Sequence, residues 1–497
     1  MAAIESLRQG ESAMDDVHFW SAKRLAWAVR RKKIGCLELL QHFLKRVERH
    51  NPALNAIVAT DIPAALKRAR AADRALAKGE ARGPLHGVPM TIKESYDVVG
   101  MPTTWGLPEL KENRPQRNAL AVDRMLAAGV TLFGKTNVPL MLADWQSYNE
   151  VYGTTNNPWD VALSPGGSSG GSAAALAAGL TGIEAGSDIG ASIRNPAHYC
   201  GVFGHKPTWG ICPPRGHALP GRVAQGDISV IGPLARSADD LALALAAMAG
   251  PDDIEGAGLR LALPAPRKTT LRELRVAVML TDPNSEVDIA VQERLQALAD
   301  FLARKKAKVS DRARPDIDTT HCQHVYIALL RAATSGRQSE TAFRRNQEIA
   351  RTLSPEDGSY YAQMVRANIL PHRDWLGLNE ERHRMRLKWA EFFREWDLLL
   401  CPAAASAACP HDHEGERHQR SILVNGKRVP TTDQLFWAGY SCVSLLPSTV
   451  APIGLTKSGL PVGVQIVGPQ YRDRDCIELA RLLEREYYAF TPPPAFA

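Results

Sequence analysis

The sequence predicts an α/β fold, and three observations support this class. Short apolar runs alternate with segments whose apolar residues recur at helical spacing, as in proteins built from alternating strands and helices. Apolar residues make up 45% of the 497 residues and charged residues 23%, which is ordinary for a globular protein with a large core. No run of 18 apolar residues occurs, so we expect no membrane-spanning helix.

The N-terminal part is predicted to be helical. It starts with a polar, acidic arm over residues 1–16, which lacks the basic and apolar regions of a signal peptide. Apolar residues then recur at helical spacing, and Pro52 ends the second helix because proline disfavours helical backbone in the residue before it. The expected helices are 17–31, 37–51 and about 62–78. We therefore assign 1–80 to an N-terminal helical segment and 81–497 to the α/β core.

Strands and helices alternate through the core. The predicted strands are a segment ending at Lys93, 130–133, 275–279, 398–400 and 462–467. The predicted helices are 118–128, 172–180, 237–249, 288–305 and about 473–487. Residues 320–395 are charged, irregular and mostly helical, so we interpret about 310–395 as a variable helical insert that shapes substrate choice.

Composition argues against several other classes of function. The net charge of +7, from 60 basic and 53 acidic residues, is small for this length, and the short basic clusters lack interleaved aromatic residues, so we expect no nucleic-acid partner. The eight cysteines form no CxxC pair, which indicates reduced thiols in a cytoplasmic protein. The histidine-rich stretch 411–418 (HDHEGERH) matches no zinc template. We therefore expect neither a metal nor another cofactor.

A stretch of small residues over 164–201 carries the most specific pattern in the chain. Its GGSSGG motif at 166–171 is not followed by the Lys-Ser or Lys-Thr of a phosphate-binding loop, and it lacks the GxSxG of a nucleophile elbow. A flexible linker explains the stretch poorly, because a helix-forming block and the charged residues Asp188 and Arg194 follow. Dense small residues indicate instead that the backbone closely approaches another backbone or a ligand.

Three segments together supply the parts of a Ser–Ser–Lys relay. They are PMTIKES with Lys93, SPGGSSGGSAAA with Ser168, and GSDIGASIRNPAHYCG with Ser192. A serine hydroxyl is a poor nucleophile unless a base takes its proton, and no histidine lies in a suitable motif. A lysine can be that base if burial lowers its pKa enough to keep the amine neutral.

These segments resemble the amidase-signature family. The likeness runs from LELLQHFLKRVERHNPALNAIV near the N-terminus through LHGVPMTIKESYDVVGMPTTWG and LFGKTNVP to GLPVGVQIVGPQYRD at 459–473. It implies a mixed twisted β-sheet with helices on both faces. It also implies an amidase that cleaves the C–N bond of small amides, with aryl anilides, carbamates and esters left open as substrates. A homodimer is common among such relatives.

The resemblance assigns the catalytic roles residue by residue. Ser192 resembles the nucleophile, and Lys93 resembles the general base. Ser168 resembles the serine that bridges these two residues and follows a cis peptide bond, here Gly167–Ser168. Ser169 resembles a residue that hydrogen-bonds Lys93 and orients it.

The turn that carries the nucleophile is expected to form the oxyanion hole. Asp188 and Arg194 flank this turn and are predicted to brace it as a partly buried pair. The family usually has a glycine just before the nucleophile, where this chain has Ala191; if that position needs a positive φ, alanine strains it by about 1 kcal/mol. The backbone N–H groups implied as oxyanion donors are those of Ile189, Gly190, Ala191 and Ser192.

The region before the Gly/Ser block lines the substrate cavity in this family. The residues expected to contact substrate are Leu142, Trp145, Tyr148 and Tyr152, with ordinary core packing as the alternative. Because this segment offers aromatic and aliphatic side chains rather than a charge clamp, it favours small, uncharged, partly apolar substrates.

Two alternatives remain open at the level of the sequence. One is the glutaminase (A) subunit of a tRNA-dependent amidotransferase, which uses the same scaffold together with partner proteins. The segment 205–226 resembles that relative less closely than the catalytic block does. The other is a catalytically silent binding protein, against which the presence of all three relay residues argues.

Overall fold

An eight-stranded mixed β-sheet forms the centre of the molecule, in a computed structural model that describes residues 16–497. Elements are numbered along the chain. In order across the sheet, the strands are β10 (Lys308–Ser310), β9 (Arg275–Val278), β11 (Leu398–Pro402), β15 (Pro461–Val467), β14 (Ser448–Leu455), β7 (Phe203–Lys206), β8 (Val230–Ala235) and β6 (Glu184–Asp188). The first three strands of this order run parallel to one another, and all the following neighbours are antiparallel. The predicted polar arm covers residues 1–16, and residues 1–15 of it lie outside the described part.

A smaller three-stranded sheet lies beside the large one. In order across it, the strands are β1 (Ile57–Thr60), β3 (Thr131–Thr136) and β2 (Pro89–Lys93). β3 pairs antiparallel with β1 and parallel with β2. A single parallel bridge between Met90 and Ile183 connects β2 to the chain just before β6. Two hairpins complete the strands: β4 (Tyr148–Asn149) with β5 (Gly153–Thr154), and β12 (Ser421–Val424) with β13 (Lys427–Pro430).

Helices flank the sheets. Those of residues 16–497 are α1 (Ala22–Arg30), α2 (Cys36–Leu54), α3 (Ile62–Ala77), α4 (Leu120–Ala127), α5 (Gly170–Ala177), α6 (Arg194–Cys200), α7 (Ala238–Met248), α8 (Ile289–Arg304), α9 (Thr319–Ser335), α10 (Glu340–Thr352), α11 (Tyr360–Asn368), α12 (His372–Glu395), α13 (Leu435–Cys442) and α14 (Asp473–Glu486). α5 packs on α6 and both contact the large sheet, as do the paired helices α7 and α14. The predicted α/β class, with a mixed sheet between helices, is confirmed.

The predicted insert is a group of four helices, α9 to α12. α9 is its inner helix, because it packs against α11, α12 and α13 and buries residues such as Val325 and Tyr326. α10 buries no residue and lies outermost. None of the helices described over residues 16–497 has the length and apolar character needed to cross a membrane.

The N-terminal segment departs from the sequence prediction in two ways. α2 does not end before Pro52 but continues to Leu54, so the predicted end was wrong by nearly one turn. Asn55 adopts the left-handed conformation, with φ 48°, and the Asn51 side chain accepts a hydrogen bond from the Ile57 amide at 2.9 Å, which together stop the helix after the proline. β1 then follows, within a segment predicted to be wholly helical. The domain boundary at residue 80 stays a prediction.

Candidate active site

Lys93 lies at the end of β2, where the strand enters the interior between the two sheets. Its side chain is fully buried. The ammonium nitrogen Nζ donates to Ser168 Oγ at 2.6 Å and to Ser187 Oγ at 2.9 Å. Burial lowers the pKa of Lys93 well below its usual range, and the charges of Asp188 and Glu184 oppose this only in part. Burial therefore favours the neutral amine, the form of a lysine that can accept a proton.

Ser168 follows the cis peptide bond Gly167–Ser168, as the resemblance implied. It lies two residues before α5 and is buried, with its hydroxyl against Lys93 Nζ. The backbone here is tightly enclosed: a Cβ at Gly167 would lie 2.4 Å from the Asp144 carbonyl oxygen. This close approach explains why the segment consists of small residues.

Ser187, rather than Ser169, is the second hydroxyl that contacts Lys93. The expectation for Ser169 was wrong, because its hydroxyl points to the backbone of β6: it donates to the Ser187 carbonyl and accepts from the Ser187 amide, both at 3.4 Å. Ser187 was missed in the sequence because a serine inside a strand carries no motif of its own. Its position directly before Asp188, on a strand next to the nucleophile turn, was the available signal.

Asp188 and Arg194 hold the turn that carries Ser192. They form a bidentate pair, with Arg194 Nη2 2.9 Å from Asp188 Oδ1 and Arg194 Nε 3.0 Å from Oδ2. The pair is fully buried, not partly buried as predicted. Although burial alone would raise the pKa of Asp188, the charge and hydrogen bonds of Arg194 hold it below its ordinary value. Asp188 also accepts the amide of Ile193 at 3.1 Å, so the carboxylate fixes the turn from inside.

The amide of Ala191 donates to Asp188 Oδ1 at 3.0 Å, which corrects the predicted set of oxyanion donors. An N–H group already held by a carboxylate is a poor donor to a second anion, so the amides of Ile189, Gly190 and Ser192 are the remaining candidates. Ala191 has φ 68°, the left-handed conformation in which alanine costs about 1 kcal/mol or somewhat more. The glycine that the family usually carries here would avoid this strain.

Two adjoining cavities open at Ser192. The first, of about 300 Å³, is called the main cavity and is bordered by Ser168, Ser187 and Ser192. The second, of about 200 Å³, is called the side cavity and also reaches Ser192. Ser168, Ser187 and Ser192 therefore face a common space that a small substrate can enter.

The structure separates the four predicted substrate residues into two groups. Leu142 borders both cavities, and Trp145 borders the side cavity while its Nε1 donates to the Gly190 carbonyl at 2.6 Å. Tyr148 and Tyr152 border neither cavity. Tyr148 stacks on a histidine ring at 3.7 Å, and Tyr152 donates to a buried glutamate at 3.3 Å. These contacts fit the alternative of ordinary packing for both tyrosines, and their contact with substrate stays a prediction.

Comparisons with known proteins agree with this geometry. The family model described as Amidase matches residues 38–477. The chain is 33% identical over 476 residues to an indoleacetamide hydrolase of Bradyrhizobium diazoefficiens, which covers 94% of this chain and 86% of that protein. It is 30% identical over 490 residues to the A-type subunit of glutamyl-tRNA(Gln) amidotransferase from Anaeromyxobacter sp. strain K, which covers 94% and 96%. The crystal structure of a bacterial aryl acylamidase of the amidase-signature family matches with a TM-score of 0.78 and 25% identity, covering 97% of this chain and 98% of that one.

The fold and these matches define an enzyme that hydrolyses the C–N bond of amides. The chain belongs to the amidase-signature family, since the family model spans most of its length. The predictions of family, fold and amide hydrolysis are confirmed.

Proposed function

We propose that Ser192 is the nucleophile of this amidase, Lys93 its base and Ser168 the hydroxyl that passes protons between them. The observation that carries the proposal is the 2.6 Å hydrogen bond between Lys93 Nζ and Ser168 Oγ, at a buried lysine beside the cavity that Ser192 borders. A buried lysine whose pKa is lowered, and whose Nζ contacts a serine hydroxyl, fits a base that works while neutral.

The proposed mechanism is acyl transfer to water. Ser192 Oγ attacks the amide carbonyl while its proton moves to Ser168, whose own proton moves to Lys93. The amides of Ile189, Gly190 and Ser192 stabilise the oxyanion of the tetrahedral intermediate. Lys93 then returns a proton through Ser168 to the leaving nitrogen, and the C–N bond breaks. Water, activated by the same relay, hydrolyses the acyl-enzyme and releases the acid.

We propose a small amide as the substrate, with aryl anilides, carbamates and esters also able to form the same acyl-enzyme. The indoleacetamide hydrolase among the relatives supports an arylalkyl primary amide as a first compound to test. The eight cysteines are all free thiols, which fits the proposed location in the cytoplasm. A homodimer is proposed from the resemblance alone.

The alternative of a glutaminase subunit is favoured by one observation, the 30% identity to an amidotransferase subunit over 96% of that protein. Under this alternative the chain would release ammonia from glutamine and would need partner proteins for full function. Glutamine therefore belongs among the compounds tested.

The experiment compares wild type with Ser192→Ala and Lys93→Met on four compounds: an arylacetamide, a primary aliphatic amide, an aryl carbamate and glutamine. We expect at least one compound to be turned over by wild type, and each variant to lose about 10³-fold or more in kcat, because removing a nucleophile or its base abolishes most acyl transfer. Product chromatography measures turnover, and circular dichroism checks that each variant folds. Near-normal rates in either folded variant would reject its assigned role, and cleavage of glutamine alone would favour the partner-dependent glutaminase.

A further inference from the structure

The side cavity combines an apolar wall with three arginines. Its wall includes Leu142, Trp145 and Leu435, and these apolar side chains can contact the hydrocarbon part of a ligand. Around this wall stand three guanidinium groups, those of Arg331, Arg337 and Arg417. None of the three lies within 4.0 Å of a carboxylate of residues 16–497. A cluster of like charges next to a nucleophile needs a physical explanation.

Several donors of these arginines are buried without a partner. Nε and Nη2 of Arg417 and Nε of Arg331 have no hydrogen bond to any described residue, although each of these nitrogens is shielded from solvent. Arg337 makes one long hydrogen bond, from Nη1 to the Met141 carbonyl at 3.4 Å, and its guanidinium lies 5.2 Å from the Trp105 ring centre. Buried guanidinium donors without acceptors are costly, so such a site is built to receive an anion.

The acidic residue of this cavity cannot neutralise the cluster. Asp144 is engaged by Arg420, whose Nη1 lies 2.6 Å from Asp144 Oδ2. The three arginines therefore face the cavity with their charge largely uncompensated. Burial lowers the pKa of Arg331, to about 10, and also that of Arg337 and Arg417; for Arg417 the charge of Asp144 opposes this effect only in part.

We propose that the substrate of Ser192 carries a carboxylate, which Arg337 and Arg417 bind in the side cavity while the apolar wall holds the carbon chain that joins it to the amide. This inference rests on the proposed function of Ser192. A carboxylate matches the planar fork of a guanidinium with two parallel hydrogen bonds. A cavity of about 200 Å³ has room for roughly seven atoms of the size of a water molecule, enough for a carboxylate on a short chain.

This proposal revises the expectation of an uncharged substrate. That expectation came from the aromatic and aliphatic residues before the Gly/Ser block, and Leu142 and Trp145 do supply the apolar wall. The charged part comes from distant segments: Arg331 lies on α9, Arg337 follows that helix, and Arg417 lies in the loop after β11. The predicted helical insert thus supplies two of the arginines.

The test uses two matched pairs of compounds. Glutaryl 4-nitroanilide and pentanoyl 4-nitroanilide place a carboxylate or a methyl group on the acyl side. Hexanoylglycine and hexanoyl ethylamide do the same on the amine side. Binding to Ser192→Ala is measured by calorimetry, and kcat/KM is measured with wild type. In one pair we expect the anionic compound to bind at least about 10-fold more tightly than the neutral one, as charge-assisted hydrogen bonds predict.

The arginines are then changed one at a time, to Arg417→Met and Arg337→Met, in the Ser192→Ala background. Each change is expected to weaken binding of the anionic compound about 10- to 100-fold and to leave the neutral compound within about 3-fold. Arg344→Met, on the exposed α10 of the same insert, is the matched control and should change neither. Equal binding of anionic and neutral compounds in both pairs, or equal weakening of both by the arginine variants, would overturn the proposal. If Ser192→Ala still turns over substrate while the anion preference persists, the role of Ser192 fails and the carboxylate site stands.

Discussion

At the residue scale, the central question is how two nearby carboxylates affect the protonation of Lys93, the base of the proposed mechanism. Asp188 is committed to Arg194 by two hydrogen bonds, so its charge is largely compensated. Glu184 is fully buried, and burial raises its pKa to about 8, so it is mostly protonated at neutral pH. The two carboxylates therefore raise the pKa of Lys93 by less than burial lowers it. The contact between Lys93 and Ser168 could be predicted because both residues lie in distinct motifs, whereas the contact of Lys93 with Ser187 could not, since no motif marks that serine.

The rate of hydrolysis should fall as pH decreases, because only neutral Lys93 can accept a proton. The pKa of Lys93 is lowered from its ordinary value by burial, so the neutral amine persists to lower pH than in an exposed lysine and is lost as pH falls through that lowered pKa. We expect kcat/KM to drop about 10-fold per pH unit on the acidic side. The profile is measured between pH 5 and pH 9 with a substrate that does not itself titrate. A flat profile down to pH 5 would contradict a lysine base.

At the scale of secondary-structure elements, most helices and several apolar strands were predicted, but the short helices α6 and α13 and the strand β6 were not. The sequence of β6, EAGSD, has no β-branched or aromatic residue, which are the usual signals of a strand. The structure gives the reason. A Cβ at Gly186 would lie 2.6 Å from Ser169 Oγ, so there is no room for a larger side chain where β6 passes the start of α5. Site geometry, not strand propensity, dictates these residues. The missed strands β7, β8 and β14 form with β6 the half of the large sheet that carries the nucleophile turn.

β6 also carries Glu184, which makes stability depend on pH. Its folded pKa of about 8 lies above the ordinary value of 4.5, so the folded state keeps a proton that the unfolded state loses. This contribution is fully present below pH 4.5 and is lost as pH rises toward 8. We expect Glu184→Gln to fold. Because glutamine does not titrate, the free energy of unfolding should fall less between pH 4.5 and pH 8 in this variant than in wild type, by up to several kcal/mol. Chemical denaturation at pH 5 and pH 8 measures this, and an unchanged difference between the two would show that Glu184 is ionised in the folded protein.

At the scale of the whole molecule, Arg194 joins the nucleophile turn to the C-terminal part of the chain. Besides Asp188, it donates to the Ala438 carbonyl at 3.1 Å and to Ser441 Oγ at 3.0 Å, both on α13, and it reaches Gln465 on β15. The sequence predicted the pairing with Asp188, because the two residues flank one turn. It could not predict the partners some 250 residues away, since nothing local marks them.

Arg194→Met should lower the free energy of unfolding by about 3–5 kcal/mol, because it leaves Asp188 as a buried charge without its partner. The control is Arg344→Met, which removes an exposed ion pair with Glu340 and should cost less than about 1 kcal/mol. Denaturant unfolding of both variants provides the comparison. If both variants lost a similar, small amount of the free energy of unfolding, the pair of Asp188 and Arg194 would contribute little to stability beyond its packing.

The order of strands in the large sheet has a consequence for how the enzyme is made. β14 and β15, at 448–467, lie in the middle of that order, between β7 and β11, which precede them in the chain. During synthesis, Lys93 and Ser192 are added to the chain well before residues 448–467. Until those residues follow, the large sheet lacks β14 and β15, its two central strands. The two halves of the large sheet therefore cannot join until residues 448–467 have been synthesised, so this sheet is completed late in the synthesis of the chain.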